Sequence, residues 1–434
     1  MKNRINHIFF TLRGFLALWF SQSISSIGTA MTTYALAVWT YEQNGTATSV
    51  SLLTLSSFLP TILFRFAAGA AADRWNKKAI MLAADLAAAC GSLTILLLYT
   101  SASLTAKHLY IINLLLSLMN AFQVPAAYVA TSQLVPKEYY SRTGGLQAAS
   151  DAAISILSPA LGGMVMARGG LSAVLGIDLM TFGFAWVTLM FIRIPKPLQN
   201  AKAVKESFWQ NCLGGVRYLK ERPVLLRLIL YIAVVNFLAK LGPDGQMSAF
   251  VLSRTDQSSL GAVQTCIALG LLCGGMVMAA RKPSGSTTNA VAAACCCIFC
   301  AGIGLALSRS VVGWCAFAFL QYLCAAVMNV HWNTLMRTTV PLELQGRVFS
   351  ARDTLQNCTI PLGLYLGGLM SDRVFEPWMA SPGRIQEMLS PVFGTGRGSG
   401  ISLLFLLTAI LGLILSLICL NKRFLRETKN KKDT

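Results

Sequence analysis

The feature that most constrains this chain is the recurrence of long apolar stretches, which follow one another almost from end to end. About 18 or more consecutive apolar residues are enough for a helix to cross the hydrocarbon core of a bilayer. No water-soluble core absorbs that much apolar surface within 434 residues. Charged residues make up 12% of the chain and hydrophobic residues 55%, against roughly 25% and 45–50% in a soluble domain. Lipid offers no hydrogen bonds, so a run that long must satisfy its backbone internally as a helix. The pattern predicts twelve spans, at 15–39, 47–71, 78–100, 108–134, 143–167, 171–193, 224–252, 259–280, 287–308, 311–338, 347–371 and 400–421.

The net charge of +19 invites a nucleic-acid reading, but its distribution argues against one. With these spans, most of the 36 lysines and arginines fall on one side. That bias marks the cytoplasmic side and places both termini there. The charge therefore sets orientation and contact with anionic lipid. The first apolar run is too long for the core of a cleavable signal and lacks a small-residue cleavage site. Of the 12 cysteines, nearly all lie in apolar runs, where thiols pack as small, soft side chains. Cys297 and Cys300 form a C-x-x-C inside a span, with no second ligand pair, so no metal site and no cofactor is expected. No nucleophile–base pair stands out, and with only His7, His108 and His331 available an enzyme is not expected.

Between spans 2 and 3 lies a short, densely charged turn, Gly69-Ala70-Ala71-Ala72-Asp73-Arg74-Trp75-Asn76-Lys77-Lys78. Two membrane helices joined by so short a basic connection meet on the cytoplasmic side. Its pattern, Gly-x-x-x-Asp-Arg-x-x-Lys-Lys, resembles the signature loop between helices 2 and 3 of the major facilitator superfamily. The resemblance implies an all-α integral membrane fold, with twelve transmembrane helices in two pseudo-symmetric six-helix bundles. It also implies that Gly69, Asp73, Arg74, Lys77 and Lys78 form a clasp in which Asp73 engages the start of span 11.

The chain itself supports two halves. Val135-Pro136-Lys137-Glu138-Tyr139-Tyr140-Ser141-Arg142 matches Val340-Pro341-Leu342-Glu343-Leu344-Gln345-Gly346-Arg347 at Val, Pro, Glu and Arg. The same offset superposes Leu161-Gly162-Gly163 on Leu366-Gly367-Gly368 and Arg168 on Arg373. Parallel repeats related by an axis along the membrane normal are a transporter architecture. The expected organisation is an N-terminal bundle over 1–193 and a basic linker with an interfacial helix over 194–223. A C-terminal bundle over 224–421 and a basic tail over 422–434 complete it. Residues 372–399 are expected to form a long outer loop rich in Pro and Gly.

Several spans carry polar stripes at helical spacing. Gln22, Ser26, Thr29 and Thr33 share one face of span 1, and Gln147, Asp151, Ser155 and Ser158 one face of span 5. Span 4 offers Asn113, Ser117 and Asn120, and span 7 offers Asn236, Lys240 and Asp244. Such stripes either line a water-filled cavity or bond helices together. The acids within spans are more telling, because a carboxylate in the bilayer must be paired, wetted or protonated. That requirement suits proton loading and release. Lys240 and Asp244 can pair on one helical face, Asp353 sits beside Arg352, and Asp85 is placed to support the basic hairpin. Asp151 and Asp178 remain as proton-coupling candidates.

Span 5 also holds Ser158-Pro159-Ala160-Leu161-Gly162-Gly163. This resembles the Gly-Pro-x-x-Gly-Gly motif of proton-coupled exporters of the superfamily, with Ser158 in place of the first glycine. Pro frees one backbone bond and glycines allow close helix approach. The arginine that such exporters often carry in span 4 is absent, with Asn120 in the best slot, and span 1 has no acid. Gly176-Ile177-Asp178-Leu179-Met180-Thr181-Phe182, Phe375-Glu376-Pro377 and Gly396-Arg397-Gly398 look like the macrolide-efflux and siderophore-exporter branch of the drug:proton antiporters. The implied function is export of a sizeable amphipathic compound by proton antiport. The protein would act as a monomer in a bacterial cytoplasmic membrane, with membrane lipids around it. An importer of a small solute on the same fold and a non-transporting sensor or assembly protein are the rivals.

Overall fold

The computed structural model describes residues 2–136, 139–193, 217–280, 287–341 and 344–420. Those residues are helical nearly throughout, with no strand among them. Eight of their helical stretches are long and apolar enough to cross a membrane. The chain divides into two compact units: unit 1 comprises Met1–Asn44 and Leu52–Ala201, and unit 2 comprises Gly45–Ser51 and Lys202–Thr434.

Unit 1 is built on α1 (Lys2–Asn44), α2 (Ala47–Arg74, of which Ala47–Ser51 belong to unit 2), α3 (Lys77–Thr100), α4 (Ala106–Leu134) and α5 (Tyr140–Phe191). Helix α5 carries both spans 5 and 6. They meet at Gly170, whose φ of 65° lies where side chains other than glycine are strained. Helix α1 packs along α5, and α3 packs on both α4 and α5. Leu18, Met81, Ala126, Ala130, Leu189 and Ile192 form one core cluster of this unit.

Unit 2 contains α6 (Pro223–Leu241), α7 (Pro243–Leu252), α8 (Gln257–Ala280), α9 (Thr287–Leu307) and α10 (Val311–Thr339). It continues through α11 (Gln345–Asn357), α12 (Ile360–Met370), a π-helical turn (Ser371–Phe375), α13 (Glu376–Ala380), α14 (Arg384–Phe393) and α15 (Ser399–Leu420). Two expected spans are interrupted. Span 7 is α6 and α7 with a break at Gly242, and span 11 is α11 and α12 separated by Cys358 and Thr359. The expected outer loop is instead largely helical, because α13 and α14 fold onto α15 by burying Met379, Phe393, Leu403 and Leu404.

The internal repeat has a backbone counterpart. Val135 and Val340 both end a helix in extended conformation and both are buried. After each, the same turn follows: the Tyr139 N–H donates to Pro136 O at 2.9 Å, and the Leu344 N–H to Pro341 O at 3.0 Å. Large apolar side chains such as Phe191 at 83% and Val312 at 79% exposure cover the outside of the units. Apolar side chains so exposed suit a bilayer as solvent.

Candidate functional site

A cavity of about 950 Å³ in unit 1 is lined entirely by that unit's own residues. The stripe of span 1 (Gln22, Ser26, Thr29 and Thr33) lines it, as do Asn113, Ser117 and Asn120 of α4, and Gln147 and Asp151 of α5. Its carboxylates are Asp85, Asp151 and Asp178, and no Lys, Arg or His is among the described lining residues.

The three acids are held differently. Asp85, on α3 and 3% exposed, accepts from Gln22 Nε2 at 3.1 Å and Gln123 Nε2 at 2.6 Å. It thereby joins α1, α3 and α4 and does not brace the basic hairpin as its position relative to Lys78 suggests. Asp178, on the second half of α5 and 1% exposed, accepts from Ser92 Oγ on α3 at 2.8 Å. The Thr29 and Thr32 hydroxyls of α1 stand beside it. Glycine at 28 makes this possible, since a Cβ there would come within 3.1 Å of Asp178 Oδ1 and 2.3 Å of Thr181 Oγ1. Asp151 is exposed, with Gln147 Nε2 at 3.3 Å one turn away.

The hydroxyls of the span-1 stripe bond back to their own helix: Ser26 to Gln22 O, Thr29 to Ser25 O and Thr33 to Thr29 O. Ser26 and Thr33 thereby leave their face to the cavity, while the Thr29 hydroxyl also stands beside Asp178 of α5. Elsewhere the hydroxyls do bond helices together. Ser117 Oγ meets Thr61 Oγ1 at 2.9 Å and also donates to Ser57 O, joining α2 to α4. Ser23 and Ser150 join α1 to α5 at 2.9 Å. In the Ser158–Gly163 motif, Pro159 stays within the helix and Ser158 is buried. A Cβ on Gly162 would sit 3.1 Å from the Tyr34 ring, so the motif brings α5 close to α1. Gly163 is buried and Ser155 is exposed.

The surroundings of the clasp residue Gly69 and the side chains of Asp73, Arg74 and Arg347 of span 11 lie outside the described set. Lys77 is buried. Lys78 does something unforeseen: its Nζ donates to Met190 O at 2.7 Å and Ile192 O at 2.9 Å. A cation on the last carbonyls of a helix satisfies orphan acceptors and complements the dipole. The interfacial helix expected in the linker falls largely outside the described residues, as does the basic tail.

The span-7 candidates belong to unit 2, not to this cavity. Asn236 Nδ2 donates to Gln356 O at 3.1 Å, which makes it a bond between α6 and α11. Lys240 and Asp244 form an ion pair at 3.3 Å, joined by Tyr322 Oη on Asp244 Oδ1 at 2.8 Å. Asp353 pairs with Arg352 at 2.7 Å. Three further polar anchors of unit 2 carry weak sequence signals. Asp372 accepts from the Ala47 and Thr48 N–H groups at 2.9 and 2.7 Å. Glu376 accepts from the Gly398 and Ile401 N–H groups at the start of α15. Arg254 donates to Gly398 O at 3.1 Å and Ser402 Oγ at 2.8 Å. The Phe375-Glu376-Pro377 and Gly396-Arg397-Gly398 markers thus contribute to one structural cap.

A helical membrane protein whose cavity sets hydroxyls, amides and three carboxylates among apolar side chains fits the transporter class. The chain matches the Major Facilitator Superfamily over residues 18–364 and belongs to it. It is therefore a multi-pass membrane transporter and not an enzyme. It is 28% identical over 373 residues to macrolide efflux protein A of Streptococcus pyogenes, covering 83% of this chain and 90% of that protein. It is 26% identical over 366 residues to the enterobactin exporter EntS of Shigella flexneri, covering 83% and 80%. Among solved structures, a bacterial homolog of the human lysosomal transporter Spinster superposes with a TM-score of 0.69. The identity is 15%, and the superposition covers 96% of each chain.

Proposed function

We propose that the protein exports a sizeable amphipathic compound across a bacterial cytoplasmic membrane in exchange for protons. The observation that carries this reading is the unit 1 cavity: about 950 Å³, rich in hydroxyls and amides, with three carboxylates and no basic side chain among its described lining. Such a lining favours a cargo that bears an amine and many hydrogen-bonding oxygens, in the manner of a macrolide. It suits an anionic siderophore less well. The names of the relatives, macrolide efflux and enterobactin export, support the outward direction.

Asp178 and Asp151 are the proposed proton carriers, and the remaining lining residues meet the cargo. Alternating access would rock two bundles, 1–193 and 224–421, joined by the linker 194–223, with both termini and the tail 422–434 cytoplasmic. Asp73 would stabilise one conformational state by roughly 1–3 kcal/mol, the usual scale of coupling between states. Asp73→Asn should then express normally and transport poorly; transport at the wild-type rate would reduce Asp73 to a loop charge. Inside-out vesicles made acidic within should accumulate a tritiated macrolide, and an uncoupler should release it. Siderophores and peptide antibiotics run in parallel test the cargo class. Accumulation of none of the three, or accumulation indifferent to the uncoupler, would overturn the proposal.

A further inference from the structure

Residues Pro223–Leu252 read as one apolar span, yet the helix is broken in its middle. Gly242 adopts φ −100° and ψ −126°, outside any helix. Pro243 has no N–H to offer the Ala239 carbonyl. The Gly245 N–H turns to Gly242 O at 3.2 Å, away from the Leu241 carbonyl. Backbone freed at membrane depth persists only where protein covers it, and here α12 and α15 do so. A Cβ on Gly367 of α12 would lie 2.5 Å from Leu241 O, and one on Gly242 would lie 2.3 Å from Thr408 Oγ1 of α15. Gln246, 1% exposed, reaches from α7 to Leu364 O on α12 at 3.4 Å.

Two charges straddle the break. Lys240 lies in the last turn of α6 and Asp244 in the first turn of α7. A helix C-terminus favours a cation and a helix N-terminus an anion. Both helix ends exist only while the span is broken. A continuous helix would keep the two residues one turn apart, but it would remove both ends and their favourable fields. Tyr322 of α10 adds a third point by donating to Asp244 Oδ1. With Oδ2 on Lys240, both carboxylate oxygens are engaged.

We propose that the break at Gly242 is a hinge of unit 2, held bent by Lys240 and Asp244, with Tyr322 as the positioning residue. The charges and the break stabilise each other, so weakening either lets the span straighten. The hinge requires only that the protein is a transporter of this fold, and it stands whether or not the cargo and proton assignments above hold.

Spin labels at Leu230, 47% exposed, and at Thr255, also exposed, span the hinge within unit 2. The chain has 12 cysteines, so the labels are best introduced through unnatural amino acids, in full-length protein in nanodiscs. The wild type should give one narrow distance by electron–electron double resonance. Asp244→Asn and Tyr322→Phe should lower the bent-to-straight ratio about fivefold or more, the lower end of usual coupling between states, so that a second distance appears. Pro243→Ala, which returns the missing N–H and keeps every charge, should move it the same way. Slower deuterium exchange at residues 244 and 245 in Asp244→Asn, whose N–H groups gain the Lys240 and Leu241 carbonyls in a straight helix, is a second expected sign. Unchanged distances in all three variants would overturn the hinge, and so would a change in Pro243→Ala alone, since the charges would then hold nothing. Tyr322→Phe removes one hydroxyl and keeps the ring, so the test survives if Asp244→Asn fails to fold.

Discussion

The two units handle the same problem, a carboxylate inside a membrane protein, in opposite ways. In unit 1, Asp85 is met by two glutamine amides and Asp178 by a serine hydroxyl, with no cation among the described residues of the cavity. In unit 2, Asp244 has Lys240 and Asp353 has Arg352. Neutral donors lower the cost of a buried charge but leave its field uncancelled; a paired cation cancels it. Negative charge that is solvated yet not neutralised is what can take up a proton or attract a cationic cargo. The difference supports the two proposals above, transport chemistry in unit 1 and a mechanical role for the charges of unit 2.

The contrast is tested most severely at Asp178. Asp178→Asn should abolish uphill efflux while leaving downhill exchange of cargo, since proton coupling is lost and binding survives. Asp151→Asn, at an exposed position of the lining, should do less damage to folding and reports whether this carboxylate carries the proton instead. The readout is proton-driven against passive exchange in the same proteoliposomes. Full proton-driven efflux in both variants would acquit both aspartates and turn attention to Asp85.

A smaller effect is expected at Asp85, and on stability more than on coupling. Replacing it with leucine strands the half-buried Gln22 and Gln123 amides; a fully buried donor left without a partner costs about 1–3 kcal/mol, which is the upper bound for each. Asp85→Leu should therefore melt well below the wild type. Asp85→Asn should sit close to it, because either glutamine amide can turn over to offer its oxygen. A wild-type melt for Asp85→Leu would show that the junction of α1, α3 and α4 is held by packing alone.

Much of this was legible from the residues. Span placement follows from run length, and the repeat at Val135-Pro136 and Val340-Pro341 anticipated two turns with the same backbone bond. The span-1 stripe Gln22, Ser26, Thr29 and Thr33, readable as cavity lining or as bonds between helices, lines the cavity, and Asp178, read as an acid within a span, is buried. What periodicity could not show was partners far apart in sequence. Gln123 lies outside the Asn113, Ser117 and Asn120 stripe, yet it holds Asp85. Lys78 reads as one more basic loop residue until α5 ends beside it. The break in span 7 had a local signal, Gly242-Pro243, which the unbroken hydropathy of 224–252 masks. Asp372 and Glu376 looked like outer-loop charges because nothing local announces that a carboxylate caps a helix N-terminus elsewhere in the chain.

The smallest expected effect separates a third way of holding an acid, on backbone N–H groups. Glu376 caps α15 through Gly398 and Ile401. Burial raises its carboxyl above its ordinary value, and the N–H bonds and the nearby Arg254 only partly pull it back. An acid whose folded-state pKa is raised contributes stability that is fully present below its unfolded pKa and lost as pH rises through the folded value. Glu376→Gln mimics the protonated acid at every pH. The variant should therefore melt with the wild type in acid and at or slightly above it near neutrality, measured on purified protein across the acid range. If acidification instead costs the wild type stability relative to the variant, the ionised cap is the stabilising form. Glu376 would then belong with the fully compensated charges of unit 2, beside Asp244 on its lysine and tyrosine.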